Sequence, residues 1–145
     1  MKQTIACLWG FALVAMLFFS SCKKDDVTAD ILRSTTWKPG MQDKNPASGP
    51  YGSIRYSAVF TCQQDDTYRF DSKGTLTINQ GTNKCSNNEP ATKSLSYSYN
   101  RETKELMIDG IRYTVVEETE EQVKYYVPVA YATGSEYLVF LLHKN

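Results

Sequence analysis

A stretch of alternating apolar and polar residues between two cysteines constrains the fold of this chain more than any other feature. Its apolar members are Tyr68, Phe70, Leu76 and Ile78. A period of two is typical of a strand with one buried face, and Asp71-Ser72-Lys73-Gly74 supplies turn residues between the two halves. The stretch from Cys62 to Cys85 therefore predicts a β-hairpin with the two cysteines bracketing its open end.

The same period of two continues through most of the later sequence. Apolar and polar residues alternate at positions 54–62, 95–99, 111–115 and 123–129. Asp109-Gly110, between two apolar pairs, is typical of a two-residue type I′ hairpin turn. Several short strands separated by turns are therefore expected.

These signals predict an all-β domain over residues 30–145. About nine strands are indicated. One helical turn at 28–33, capped by Thr28, is the longest helix that we expect, and no βαβ alternation occurs. A small antiparallel up-and-down barrel is the simplest solution, because closure removes unpaired strand edges. An open sandwich is the alternative.

The same patterns make three local predictions. Residues 54–62 should form a strand whose inward face carries Ile54, Tyr56, Ala58, Phe60 and Cys62. Residues 137–143 are apolar on both faces, so we expect Ile31-Leu32 or the preceding tether to cover the outer face of that strand. Residues 43–52 are rich in Gly and Pro, and we expect this loop to be a mobile lid.

The first 21 residues have the pattern of a secretory signal peptide. Lys2 precedes an uncharged run at 5–19, and Phe19-Ser20-Ser21-Cys22 follows. This tetrapeptide resembles the lipobox of bacterial lipoproteins, which implies that Cys22 becomes the lipidated first residue of the mature chain. The alternative is an uncleaved transmembrane anchor, because the uncharged residues 3–21 are almost long enough to cross a bilayer.

Residues 22–29 form a short tether between the lipid and the domain. Two acyl chains hold a protein on a bilayer far better than one. Lys23-Lys24-Asp25-Asp26 is either a solvated spacer or resembles the signal that carries some lipoproteins to the cell surface. We therefore expect a lipid-anchored protein of the outer membrane, on its periplasmic or its surface-exposed side.

Charge and cysteine content narrow the possible partners. Of 16 Lys and Arg residues only Lys2 lies in the signal peptide, which leaves 15 against 16 acidic residues. With no basic stripe, nucleic acid is not an expected partner. Once Cys7 is removed and Cys22 is lipidated, Cys62 and Cys85 remain in an oxidising compartment. We expect them to form a disulfide.

Residues 30–145 resemble the lipocalin-like domains of bacterial lipoproteins. The resemblance begins with Leu32 followed by Thr36-Trp37-Lys38. It continues through the first hairpin, with Cys62, Asp65-Asp66-Thr67-Tyr68-Arg69-Phe70, Gly74, and Gly81 with Lys84-Cys85. The last motif is Tyr113-Thr114-Val115-Val116-Glu117. It implies a small lipocalin-like barrel with Trp37 near its closed end.

Neither a catalytic constellation nor a metal site is predicted. His143 is the only histidine, and we expect it at the surface, at the end of the last strand. A chain with one histidine and no free cysteine lacks the usual metal ligands. Asp65, Asp66 and Asp71 remain either oxygen ligands for calcium or, as we favour, acceptors of local hydrogen bonds. We expect no enzyme activity and no cofactor.

Tyrosines are the strongest candidates for ligand contacts, because a ring with a polar tip suits an amphipathic molecule. The predicted ligand-binding residues are Tyr97, Tyr99, Tyr113 and Tyr125. The hypothesis is a non-enzymatic, membrane-anchored module that holds a small hydrophobic ligand at the open end of the barrel. In the alternative, side chains fill the barrel, and it serves as a structural subunit or contacts an envelope protein through Tyr126, Met107 and Tyr137.

Overall fold

The computed structural model of this chain describes residues 30–130 and 134–145. The elements in these ranges are helix α1 (Ile31–Ser34), a 3-10 helix (Thr61–Gln63), and strands β1 (Trp37–Pro39), β2 (Ile54–Tyr56), β3 (Thr67–Phe70), β4 (Thr75–Asn79), β5 (Thr92–Asn100), β6 (Glu105–Ile108), β7 (Ile111–Glu118), β8 (Gln122–Pro128) and β9 (Tyr137–Lys144). The predicted signal peptide, Cys22 and the tether lie outside the described residues. None of the helices in the described ranges is long and apolar enough to cross a membrane.

Eight of the strands form a closed antiparallel barrel. Each strand from β3 to β9 pairs with the next one along the chain, as in an up-and-down barrel. Strand β1 closes the sheet, because it pairs with β3 through Trp37 and Tyr68 and with β9 over residues 142–144. The predicted all-β, lipocalin-like barrel of eight to nine strands is confirmed, and the open sandwich is wrong.

Strand β2 is an addition to the barrel, and the strand predicted at 54–62 is confirmed only over Ile54–Tyr56. β2 ends at Tyr56 and pairs in parallel with residues 137–139 of β9. Because β1 already occupies residues 142–144 of the same edge, only a short length of β9 is free to pair. Residues 57–60 leave the sheet without regular structure, and Phe60 is 64% exposed rather than inward-facing.

Helix α1 packs against one end of the barrel interior. Leu32 and Trp37 are buried in the hydrophobic core, and the Trp37 indole Nε1 donates a hydrogen bond to the Leu32 carbonyl oxygen at 2.8 Å. The helical turn is confirmed, but its N-cap is Asp30 and not Thr28. Ile31 and Leu32 pack on the core, so the prediction that they cover the outer face of β9 is wrong.

Two predicted hairpin turns are confirmed. Asp109 and Gly110 have φ angles of 50° and 80°, as a type I′ turn requires at both central positions. Gly74 ends the turn between β3 and β4 with a φ of 84°. The Asp71 carboxylate accepts hydrogen bonds from the backbone amides of Lys73 and Thr75, which fixes this turn.

The predicted disulfide between Cys62 and Cys85 is confirmed, with a Cα–Cα distance of 5.0 Å. It joins the 3-10 helix to the loop between β4 and β5. We expect the double variant Cys62→Ser/Cys85→Ser to lose about 3 kcal/mol of unfolding free energy, because its unfolded chain is no longer cross-linked. A urea titration measures this loss, and wild-type protein reduced with dithiothreitol is the control. An unchanged midpoint in both samples would contradict the expectation.

Candidate functional site

A cleft of about 160 Å³ opens where β1 ends and leaves the edge of β9. Its barrel wall includes Tyr68, Tyr125 and Phe140, and its other wall is the irregular segment with Ala58 and Val59. All the side chains that line it are uncharged. An apolar cavity of roughly 150 Å³ is large enough for one benzene ring. The cleft can therefore accept a group of about that size.

Two of the aromatic rings that line the cleft belong to a packed cluster of three rings. Tyr125 and Phe140 are cross-strand neighbours on β8 and β9, and their rings stack with centroids 5.3 Å apart. Tyr113 packs edge-on against both rings, at 5.3 Å from Tyr125 and 5.5 Å from Phe140. Because each ring is held by two others, the aromatic surface is formed before any ligand arrives.

Tyr68 and Tyr125, which line the cleft, and Tyr113, which packs against Tyr125, have their hydroxyls in a low-polarity environment. Burial raises the pKa of Tyr125, and the neighbouring phenols of Tyr68 and Tyr113 raise it further. Burial also raises the pKa of Tyr68 and of Tyr113. Within the described part of the chain, the structure gives these three hydroxyls no hydrogen-bond partner. The cleft thus offers polar groups to a ligand next to aromatic faces.

The four tyrosines predicted from sequence separate into two places. Tyr125 lines the cleft, and Tyr113 packs edge-on against it without lining the cleft itself. Tyr97 and Tyr99 lie nearer α1, where their hydroxyls donate to the Asp71 carbonyl oxygen and to the Glu118 carboxylate. Tyr97 and Tyr99 do not line the cleft, because they line a separate depression with Arg33 and Asp71.

Sequence analysis missed Phe140 and Tyr68 as members of the candidate site. Phe140 lies in a run that is apolar on both faces, so its alternation does not mark it. The register of β8 against β9 places it opposite Tyr125, and such a register is not readable from one sequence. Tyr68 stood among the expected inward residues, but nothing paired it with Tyr125.

The acidic residues of the first hairpin make local hydrogen bonds, as favoured over calcium binding. Asp65 accepts from the amides of Thr82 and Asn83. Asp71 lies at the opposite end of the hairpin and caps its turn. Among residues 30–130 and 134–145, no group of three or more His, Cys, Asp or Glu side chains is placed to hold a metal ion.

A second feature missed from sequence is a buried lysine on the outer face of the barrel. Lys124 is 1% exposed, and its Nζ lies 2.8 Å from an Asp43 carboxylate oxygen and 3.5 Å from one of Glu117. It also donates to the carbonyl oxygens of Asn45 and Ser48, at 2.6 Å each. A bulge in β7 after Val115 places Glu117 directly opposite Lys124.

These contacts hold residues 40–53, which we name the strap, against the outside of β8 and β9. Gly40 approaches β9 so closely that a Cβ there would come within 2.8 Å of Leu141 and 2.6 Å of the His143 ring. His143 is half-buried and lies 3.1 Å from the Gln122 side-chain oxygen. The outer face of β9 is therefore covered by the strap and not by Ile31-Leu32. The loop that we predicted to be a mobile lid is part of the strap, and its contacts anchor it to the barrel.

Comparisons with known proteins were made for the whole chain. No protein-family model, curated protein or solved structure matches it.

Proposed function

We propose that this chain is a lipid-anchored, lipocalin-like lipoprotein that binds a small apolar or amphipathic molecule and has no enzymatic activity. The observation that carries the proposal is the cleft, whose uncharged walls include Tyr68, Tyr125 and Phe140. Its volume of about 160 Å³ suits one ring or one branched alkyl group of a ligand. The hydroxyls nearby suit the polar part of an amphipathic molecule.

The barrel interior is only partly hollow, and no cavity runs through its full length in the described residues. Near α1 the barrel is filled by core residues, among them Trp37, Phe70, Leu76 and Leu106. The uncharged cleft lies on the side where β1 ends, and a separate depression of about 320 Å³ near α1 is lined by Arg33, Tyr97 and Tyr99. A ligand would therefore insert one end into the cleft, and the rest of the molecule would remain outside.

The proposal predicts that filling the cleft blocks binding. In Val59→Phe, a larger side chain occupies the cleft from its irregular wall, where the backbone can shift without disturbing the barrel core. With indole as the probe in isothermal titration calorimetry, we expect wild type to bind and Val59→Phe to bind at least about tenfold more weakly, about 1.4 kcal/mol.

Ile111→Phe is the matched control, because it adds the same ring at an exposed position beside the Asp109-Gly110 turn. It should bind indole as wild type does. Equal binding by Val59→Phe, with a native near-ultraviolet spectrum, would contradict the proposal. Native mass spectrometry of protein extracted from its own membrane would then identify any molecule or protein that it retains.

The anchor is a separate part of the proposal and has its own test. Wild-type protein should partition into the detergent phase of Triton X-114 and incorporate labelled fatty acid, since two acyl chains bury many methylenes. Cys22→Ser should incorporate no label. Wild-type protein that enters the detergent phase without incorporating label would indicate an uncleaved hydrophobic segment instead.

A second candidate function is an interaction subunit of the outer membrane, and exposed apolar side chains near β2 favour it. Tyr51 is 99% exposed, and Met41 and Phe60 are also largely exposed. The residues that we predicted for such a surface are less available, because Tyr126 and Tyr137 pack edge-on against each other at 5.0 Å. A protein partner retained in native mass spectrometry and lost in Phe60→Ser would favour this function.

A further inference from the structure

The charges around the cleft are distributed unevenly. No cationic side chain lines it. Asp66 is buried, stands two residues before Tyr68 in the chain and helps to raise the pKa of that phenol, while burial raises the pKa of Asp66 itself. Asp66 accepts one hydrogen bond, from the Gly81 amide at 3.2 Å. In its ionised form Asp66 contributes negative potential on the Tyr68 side of the cleft.

Aromatic rings in the cleft add to this negative field. The face of an aromatic ring carries partial negative charge, and a cation within about 6 Å of the ring centre is attracted to it. Tyr68, Tyr125 and Phe140 supply three rings to one cleft of about 160 Å³. No lysine or arginine side chain in the cleft competes for these rings. The cleft is therefore suited to a desolvated ammonium group.

We propose that the cleft selects an organic cation, with a quaternary or tertiary ammonium group seated against Tyr68, Tyr125 and Phe140. The inference rests on the proposed function, namely that the cleft binds a small molecule, and it names the chemical class of that molecule. An anion is disfavoured, because it would lose hydration in the cleft without meeting a cationic partner. A neutral molecule of the same shape would gain the packing but not the charge interaction.

A series of three molecules with one shape tests the inference. Choline, 3,3-dimethyl-1-butanol and 3,3-dimethylbutanoate share a branched head of similar size and differ in charge. We expect choline to bind wild-type protein at least about tenfold more tightly than the neutral alcohol in calorimetric titrations, since a desolvated cation–π contact is worth about 2 kcal/mol. We expect no measurable binding of the butanoate.

Two variants separate a charge effect from a structural one. Asp66→Asn keeps an oxygen that can accept from Gly81 and removes only the charge. It should weaken choline binding at least about threefold and leave indole and alcohol binding unchanged. Glu102→Gln removes one negative charge at an exposed position in the turn after β5. It should leave the affinities for choline, indole and the alcohol unchanged. Equal loss of all ligands in Asp66→Asn would mean a structural role and would overturn the part assigned to that residue.

The two proposals fail in different ways. Binding of the alcohol or of the butanoate as tight as that of choline would overturn the cation inference and leave the binding function intact. Binding of indole without binding of choline would likewise overturn the cation inference and leave the binding function intact. If neither indole nor any of the three molecules binds, the binding function fails together with the inference.

Discussion

Lys124→Met is expected to lower the free energy of unfolding by about 3 to 5 kcal/mol, because it removes one member of a buried ionic group and leaves the others unpaired. Asp43 and Glu117 both lie against the Lys124 ammonium, with side chains 6% and 8% exposed. Without the lysine, two buried carboxylates lose their counter-charge, and the strap loses the carbonyl contacts at Asn45 and Ser48. Urea titrations followed by circular dichroism measure the loss.

Lys44→Met is the matched control for Lys124→Met, because it replaces an exposed lysine with the same side chain. Lys44 pairs with Glu121 at 3.3 Å, but the two side chains are 45% and 68% exposed. A pair as exposed as this contributes about 0 to 1 kcal/mol, so Lys44→Met should hardly change stability. Equal small losses in the two variants would contradict a buried role for Lys124. The triple variant Lys124→Met/Asp43→Asn/Glu117→Gln should recover part of the loss, because it leaves no unpaired charge.

The same ionic group gives the wild type a defined acid sensitivity. Burial tends to raise the pKa of Asp43, but hydrogen bonds, first those from Lys124 and Tyr56, outweigh burial and lower the pKa to about 2 from an ordinary 3.8. A lowered folded-state pKa stabilises the fold above the unfolded value, and this stabilisation is lost as the pH falls from about 4 to about 2. The strap should therefore remain in place at neutral pH.

Trp37→Ala is expected to cost about 3 to 5 kcal/mol, the range for deleting a large buried aromatic side chain. Trp37 has 0% exposure and contacts the core where β1 meets both β3 and β9. Its loss opens a cavity there and leaves the Leu32 carbonyl oxygen without its indole donor. The loosened α1 would then expose more of the core.

Far-ultraviolet circular dichroism is the suitable measurement, because Trp37→Ala removes the only tryptophan of residues 30–145. A variant that is already unfolded in buffer agrees with the expectation. Tyr51→Ala is the control, since Tyr51 is 99% exposed and a surface truncation of this kind usually changes stability by less than about 0.5 kcal/mol. An unfolding midpoint for Trp37→Ala equal to that of Tyr51→Ala would show that the indole is not part of the core.

The alternating pattern of the sequence predicted the barrel because period-two burial is a local property of each strand. Tyr97, Val115 and Val123 alternate with polar residues and are all buried. The pattern failed at Ile54, Tyr56 and Phe60, whose alternation is as regular. Their environment is set by which edge of β9 remains free after β1 has paired, and this depends on distant parts of the chain.

The candidate site was only half predictable for a related reason. Tyr113 and Tyr125 stood out as inward aromatic residues, but Phe140 joins them only through the register of β8 against β9. Lys124 alternates with Val123 and Tyr125 and so resembles an ordinary solvent-facing lysine. Its burial depends on the strap, whose acidic partner Asp43 is far away along the chain. Neither contact leaves a local signal in the sequence.

Closure of the barrel by β1 also sets an order of events in folding. The seam joins residues 37–39 to residues 142–144, so the two strands that complete the cylinder are separated by almost the whole domain. Bringing such distant segments together costs more chain entropy than forming the hairpins between them. The hairpins from β3 to β8 can form before β9 is in place, whereas the cylinder can shut only after β9 has met β1. Until then the inner face of β1 and the rings of the cleft remain accessible to chaperones.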